Sequence, residues 1–157
     1  MMLRLVFISV FIAISTADFV PIGFKNCNSL STLNGVEVDG CTVKELEGGK
    51  KQCLIKQGTT PKIRVNFTPN EDIATMKTKV KAKIGSGSYV DFPMETDDAC
   101  KSSLKCPLKK GTAYSYNWGI EMMHQYPLNE NIQVNWILSR DGEAKDICFI
   151  FLVKLEA

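Results

Sequence analysis

The sequence predicts an all-β protein, an immunoglobulin-like antiparallel β-sandwich of about seven or eight strands in one domain. Three observations carry the prediction. Apolar side chains recur at every second position in several runs, the period of a strand with one buried face. Turn residues break the chain between those runs, as in sandwiches. No stretch offers an amphipathic helix longer than a turn or two.

Residues 36–43 and 52–55 are the weaker strand candidates, with Gly48-Gly49 as the turn between them. Ile63, Val65 and Phe67 then alternate with Lys62, Arg64 and Asn66. Met76, Thr78, Val80, Ala82 and Ile84 alternate with Lys77, Lys79, Lys81 and Lys83, and Gly85-Ser86-Gly87-Ser88 ends that run. Tyr114, Tyr116, Trp118 and Ile120 mark the next strand, and Ile132, Val134, Trp136 and Leu138 the one after it. Residues 147–153 are apolar at every position, as in a strand covered on both faces. Asp141-Gly142 between these last two strands is a hairpin signal. Sheets with one apolar face each must pack face to face.

An immunoglobulin domain proper would carry a cysteine pair bridging its sheets, with a tryptophan between them. Here Cys100 and Cys106 enclose five residues, which suits a small local loop better than a bridge between sheets. The sandwich architecture stands without that signature.

The first 17 residues read as a removable secretory leader: Arg4, an apolar run over 5–14, and small residues at Ser15-Thr16-Ala17. A run of ten residues falls short of the roughly 20 needed to span a bilayer. Removing 1–17 leaves 157 − 17 = 140 residues, and the loss of Arg4 takes the formal charge from +2 to +1. So balanced a charge argues against nucleic acid as a partner. Six cysteines (Cys27, Cys41, Cys53, Cys100, Cys106 and Cys148) in an exported chain read as a disulfide framework, with 15 pairings open to sequence alone.

Catalytic and metal chemistry find little support. His124 is the only histidine, its neighbours are apolar or neutral, and no G-x-S-x-G elbow is present. No C-x-x-C motif occurs, and disulfides would consume the thiols a zinc site needs. Asp97-Asp98 fits a turn before Cys100. The chain is therefore expected to be neither an enzyme nor a cofactor protein.

The informative region is 89–127. Val90-Asp91-Phe92-Pro93 is a short apolar segment between a Gly-Ser loop and a cysteine loop. Continuing the parity of Tyr114 to Ile120 places Met122, His124 and Tyr126 on the same face unless a bulge intervenes. Such a face serves a filled core or the wall of a ligand cavity equally well, and periodicity does not distinguish them.

Particular motifs decide more. Val90-Asp91-Phe92-Pro93, Asp98-Ala99-Cys100 through Cys106-Pro107-Leu108, Gly111 through Tyr114-Ser115-Tyr116, and Gln125-Tyr126-Pro127 resemble the ML lipid-recognition family. Phe24-Lys25-Asn26-Cys27 and Val36-Glu37-Val38 fit the family's opening. The chain is most similar to the soluble Niemann-Pick type C (type-two) sterol carriers and the group-two mite allergens, over residues 18–157.

The resemblance implies pairing of Cys27 with Cys148, Cys41 with Cys53, and Cys100 with Cys106. The first of these would contribute about 4–5 kcal/mol in the chain-entropy model, less any strain. It implies a lipid cavity between the sheets, with Phe92, Met122 and Tyr126 at its mouth and Val90, Pro93, Pro127 and Trp136 as neighbours. It also implies a secreted, monomeric, non-catalytic carrier of a sterol, fatty acid or similar lipid, working in extracellular fluid or the lysosomal lumen. Its other partner would be a transient membrane surface or a lipid-acceptor protein. The alternative within the family is an innate-immune or chemosensory module binding microbial or signalling lipids. Two departures bear on the ligand: a longer Cys41–Cys53 loop, and Met122 where a smaller branched residue is usual. Because methionine is pliable, Met122 opens the cavity to lipids other than sterols.

Two surface features complete the reading. Lys77, Lys79, Lys81 and Lys83 form a stripe that serves as a solvated face or guarded sheet edge, or attracts anionic membranes. Asn66-Phe67-Thr68 is an N-glycosylation sequon whose Asn66 points outward if Phe67 points inward.

Overall fold

The computed structural model describes residues 17–157; apart from Ala17, the expected leader lies outside them. Among the described residues, eleven strands form two sheets. In chain order they are β1 (Phe19–Pro21), β2 (Lys25–Asn26), β3 (Thr32–Asp39), β4 (Thr42–Glu45), β5 (Lys51–Lys56), β6 (Lys62–Thr68), β7 (Lys77–Ile84), β8 (Val90–Asp91), β9 (Tyr114–Gly119), β10 (Ile132–Arg140) and β11 (Ala144–Glu156). The helix α1 (Ala99–Ser102) is a single turn whose N-terminus is capped by Asp98, the Cys100 N–H donating to its Oδ1 at 3.0 Å.

The smaller sheet runs β1-β3-β6-β9, antiparallel throughout. The larger runs β4-β5-β11-β10-β7-β8, and β2 also pairs with β11. Two expectations need correction. Eleven strands replace seven or eight because β1, β2 and β8 hold only two or three residues, too few to display a period. The larger sheet is mixed, since β5 lies parallel to β11. Alternation along a strand records which face is buried and nothing about the neighbour's direction.

The Asp141-Gly142 signal does close the β10–β11 hairpin, with left-handed φ of 51° and 76°. A bulge two residues from the turn leaves Asp146 fully buried. Its carboxylate accepts from the Arg140 backbone N–H and guanidinium at 3.0 Å, so the buried charge is paired.

Inward side chains fill one end of the sandwich. Phe67, Ile73, Met76, Leu108, Tyr116, Leu138, Ile147 and Phe149 are all fully buried there. The segment bearing α1 caps this end with Ala99, Leu104 and Leu108, tied to the sheet by Ala99 N–H to Met76 O (2.9 Å) and the Ile73–Leu108 bridge. The disulfides are those the resemblance implied: Cys27–Cys148, Cys41–Cys53 and Cys100–Cys106. The first fastens the end of β2 to β11, the second joins the β4 side to β5, and the third closes the α1 loop.

Candidate functional site

The same strands that close one end stay apart at the other. Beyond Trp136 the inward positions are Val38 of β3, Ile63 of β6, Trp118 of β9, Val80, Ala82 and Ile84 of β7, Ile132 and Val134 of β10, and Phe151, Val153 and Leu155 of β11. They enclose a cavity of about 370 Å³, inside the roughly 300–1,000 Å³ range of small-molecule sites. Trp136 is fully buried and forms its floor. Behind it, 6.2 Å away centroid to centroid, stands Tyr116, whose phenol oxygen accepts from the Thr78 hydroxyl at 3.0 Å. Burial pushes the Tyr116 phenol up to about 12, against the opposing effect of that hydrogen bond.

Two lips frame the mouth. One is Val90, Asp91, Phe92 and Pro93, fixed to the larger sheet by the β7–β8 pairing and by Phe92 N–H to Val80 O at 2.8 Å. The other is the segment 120–127, carrying Met122, Met123, Gln125, Tyr126 and Pro127. Phe92 and Tyr126 meet across the opening with ring centroids 5.9 Å apart and planes tilted by 59°. Of the lining side chains only Asp91 and Gln125 lack an apolar body, and both are exposed at the rim. No lysine or arginine lines the cavity among the described residues.

All seven residues singled out from sequence (Val90, Phe92, Pro93, Met122, Tyr126, Pro127 and Trp136) lie on this one cavity. One expectation fails on the way. The parity of β9 does not continue to Tyr126, because the strand ends at Gly119 opposite Lys62. The next partner is Pro61, which has no N–H to offer and only accepts from Ile120 at 3.1 Å. Met122 and Tyr126 therefore reach the cavity from a loop, and His124 does not join them: it is exposed and lies over Gly58. The walls from β3, β5, β6, β7 and β11 were not singled out as site residues. Only topology shows that their inward positions converge on the open end.

The lysine stripe lies outside this cavity, on the outer face of β7. Lys77 and Lys79 pair with Asp97 and Asp91, each at 3.3 Å, and β8 covers β7 only at Lys81 and Ala82. Asn66 sits on β6, its amide donating to Glu37 at 3.0 Å and accepting from the Ser115 hydroxyl at 2.6 Å. Among the described residues, no cluster of three or more His, Cys, Asp or Glu side chains could hold a metal, and no helix is long and apolar enough to cross a membrane.

These features define a cystine-braced sandwich with a hollow, apolar end. The chain belongs to the ML domain family, whose model matches residues 21–155. It is 40% identical over 147 residues to the Caenorhabditis elegans protein heh-1, covering 92% of this chain and 94% of that one. It is 28% identical over 149 residues to the NPC intracellular cholesterol transporter 2 of Bos taurus, covering 94% of each. Among solved structures, a Niemann-Pick type C2 protein from the Japanese carpenter ant superposes with a TM-score of 0.74. At 22% identity, that match covers 86% of this chain and all of the other, and it supports the shared fold.

Proposed function

We propose that this protein is a non-catalytic carrier that holds one sterol, fatty acid or similar hydrophobic ligand between its sheets and hands it on. The observation that carries the reading is the cavity of about 370 Å³, apolar to its floor and open at one end. The bovine relative's name, a cholesterol transporter, supports it. Val90, Phe92, Pro93, Met122, Tyr126 and Pro127 form the mouth of this proposed site, and Trp136 the deep contact.

A lipid burying about 400 Å² of apolar surface gains roughly 10 kcal/mol. Lost translational freedom offsets much of that, leaving micromolar to nanomolar binding. That is tight enough to keep a lipid out of water and loose enough to release it. The rim narrows the ligand class. An anionic headgroup would find no cation in the lining, since the nearest rim charge, Asp91, already pairs with Lys79 at 3.3 Å, whereas a hydroxyl can hydrogen-bond to Asp91 or Gln125. A ligand with an uncharged polar end is therefore favoured over a carboxylate.

Transfer is supported by where exposed apolar side chains gather. Ile84, Val90 and Met123 line the mouth, and Tyr89 and Leu128 directly adjoin lining residues. Such a rim suits contact with a membrane or acceptor. Three disulfides support a site of action in extracellular fluid or the lysosomal lumen. Glycosylation of Asn66 fits this location, since a substituted amide keeps one N–H for Glu37.

The test is a titration of the purified protein with dehydroergosterol and, separately, cis-parinaric acid, read by energy transfer from tryptophan. Saturable binding at one site per chain, tighter for the sterol, is expected. No saturable binding of either probe would end the carrier reading.

A further inference from the structure

The two lips of the cavity are held in different ways. The Phe92 lip belongs to the sheet, whereas the Tyr126 lip is loop. We infer that Gln57 is the positioning residue that fastens the Tyr126 lip and so sets the rate at which ligand enters and leaves. The inference rests on the carrier reading above.

Gln57 follows the end of β5, and its backbone N–H donates to Glu156 O at 2.8 Å, so it is anchored on the larger sheet. Its side-chain Nε2 donates both protons across the gap, to His124 O at 3.2 Å and to Tyr126 O at 2.5 Å. An amide group has two such donors, and both are used. The next two residues extend the clasp: Gly58 N–H donates to Met122 O at 2.6 Å, and Met122 N–H to Thr59 O at 2.9 Å. One turn thus grips the carbonyls of residues 122, 124 and 126. Met122 and Tyr126 are the two loop residues placed at the mouth from sequence.

The turn is shaped for this approach. Gly58 has φ +74°, a backbone conformation that favours glycine, and a Cβ there would lie 2.9 Å from Nε2 of the exposed His124 side chain, which would have to shift. The Thr59 hydroxyl donates to Lys56 O at 2.7 Å and locks the turn. Aperture at the Phe92–Tyr126 contact depends on where Tyr126 is held. Gln57 touches its carbonyl and does not line the cavity. It therefore acts through the loop and leaves the lining unchanged.

The experiment preloads the full-length secreted protein with dehydroergosterol, or with cis-parinaric acid if wild type retains that instead. Release into methyl-β-cyclodextrin is followed by the loss of tryptophan energy transfer. Gln57→Glu at pH 7 replaces two donors by a carboxylate facing two carbonyls. Release should then be on the order of ten-fold faster, the effect of two hydrogen bonds lost. Below the ordinary glutamate range, about 4.3, the protonated acid regains a donor and the rate should return toward wild type at the same pH. Of the residues that adjoin or hydrogen-bond to Gln57, Lys56, His124, Tyr126 and Glu156 are ionisable and common to both proteins, so the ratio at each pH isolates residue 57. Gln57→Met, of similar length without donors, should release fast at every pH, and Gln57→Lys, which keeps donors, should stay near wild type. Wild-type release from both Gln57→Glu and Gln57→Met overturns the inference. So does an acceleration that acid does not reverse and Gln57→Lys shares. A wild-type protein that retains neither probe overturns the carrier reading instead.

Discussion

Substituting Ala82 with phenylalanine separates a hollow sandwich from a filled one. Ala82 lies on the inner face of β7, paired with Val134 on one side and Val90 on the other, and it lines the cavity. A cavity of roughly 150 Å³ accommodates benzene. A phenyl ring at this position would therefore take up about 40% of the 370 Å³. A ligand that loses about 40% of some 400 Å² of apolar contact loses roughly 4 kcal/mol, close to a thousand-fold in Kd. In a filled core the same ring would overpack and cost about 1–3 kcal/mol of stability. In a hollow one it should leave the fold as stable as before or more so, because apolar surface gains contacts. Probe binding and thermal unfolding of Ala82→Phe, measured side by side, give the answer. Binding lost with stability kept is the expected pair. Binding kept with stability lost would refute the reasoning.

Three further outcomes follow. Phe92→Ala and Tyr126→Ala each remove one ring of the pair across the mouth and should weaken probe binding by about 1–3 kcal/mol, roughly five- to 150-fold; unchanged affinity in both would put the ligand elsewhere. Replacing Cys27 and Cys148 together by serine opens a 121-residue crosslink and should lower unfolding stability by up to about 5 kcal/mol in denaturant titration, with an effect near zero counting against the bracing role. At alkaline pH the native state keeps the Tyr116 proton to about 12 while the unfolded chain releases it near 10, so Tyr116 contributes stability below pH 10 that is lost as pH rises to 12, roughly 3 kcal/mol in all. Absorbance at 295 nm should show this late phenolate step coinciding with unfolding, and Tyr116→Phe should abolish it.

The strands were legible because burial imposes period two on them. Ile132, Val134, Trp136 and Leu138 keep their alternation whatever lies opposite. Residues 147–153 of β11 read as covered on both faces, yet Ile150 and Leu152 are only half-buried: a central strand has neighbours at both edges, and these cover neither face. The hollow left no such trace. Ala82 and Val134 face space, while Thr78 and Leu138 face packed neighbours, yet all four follow one alternation. What marked the mouth was the family motif at Val90–Pro93 and at Gln125–Pro127. Gln57 escaped notice altogether: it is a polar residue in a short turn, and its partners lie 67 and 69 residues away. Contacts of that range follow from topology, and the parallel placement of β5 beside β11, which brings Gln57 to the mouth, was not visible in any local pattern.

Native mass spectrometry of the protein purified from its expressing cells, without added lipid, tests the central claim most directly. One copy of a hydrophobic molecule per chain is expected, removable by organic extraction and restored by adding a sterol. A bare polypeptide mass that stays bare in excess sterol and fatty acid would contradict the account.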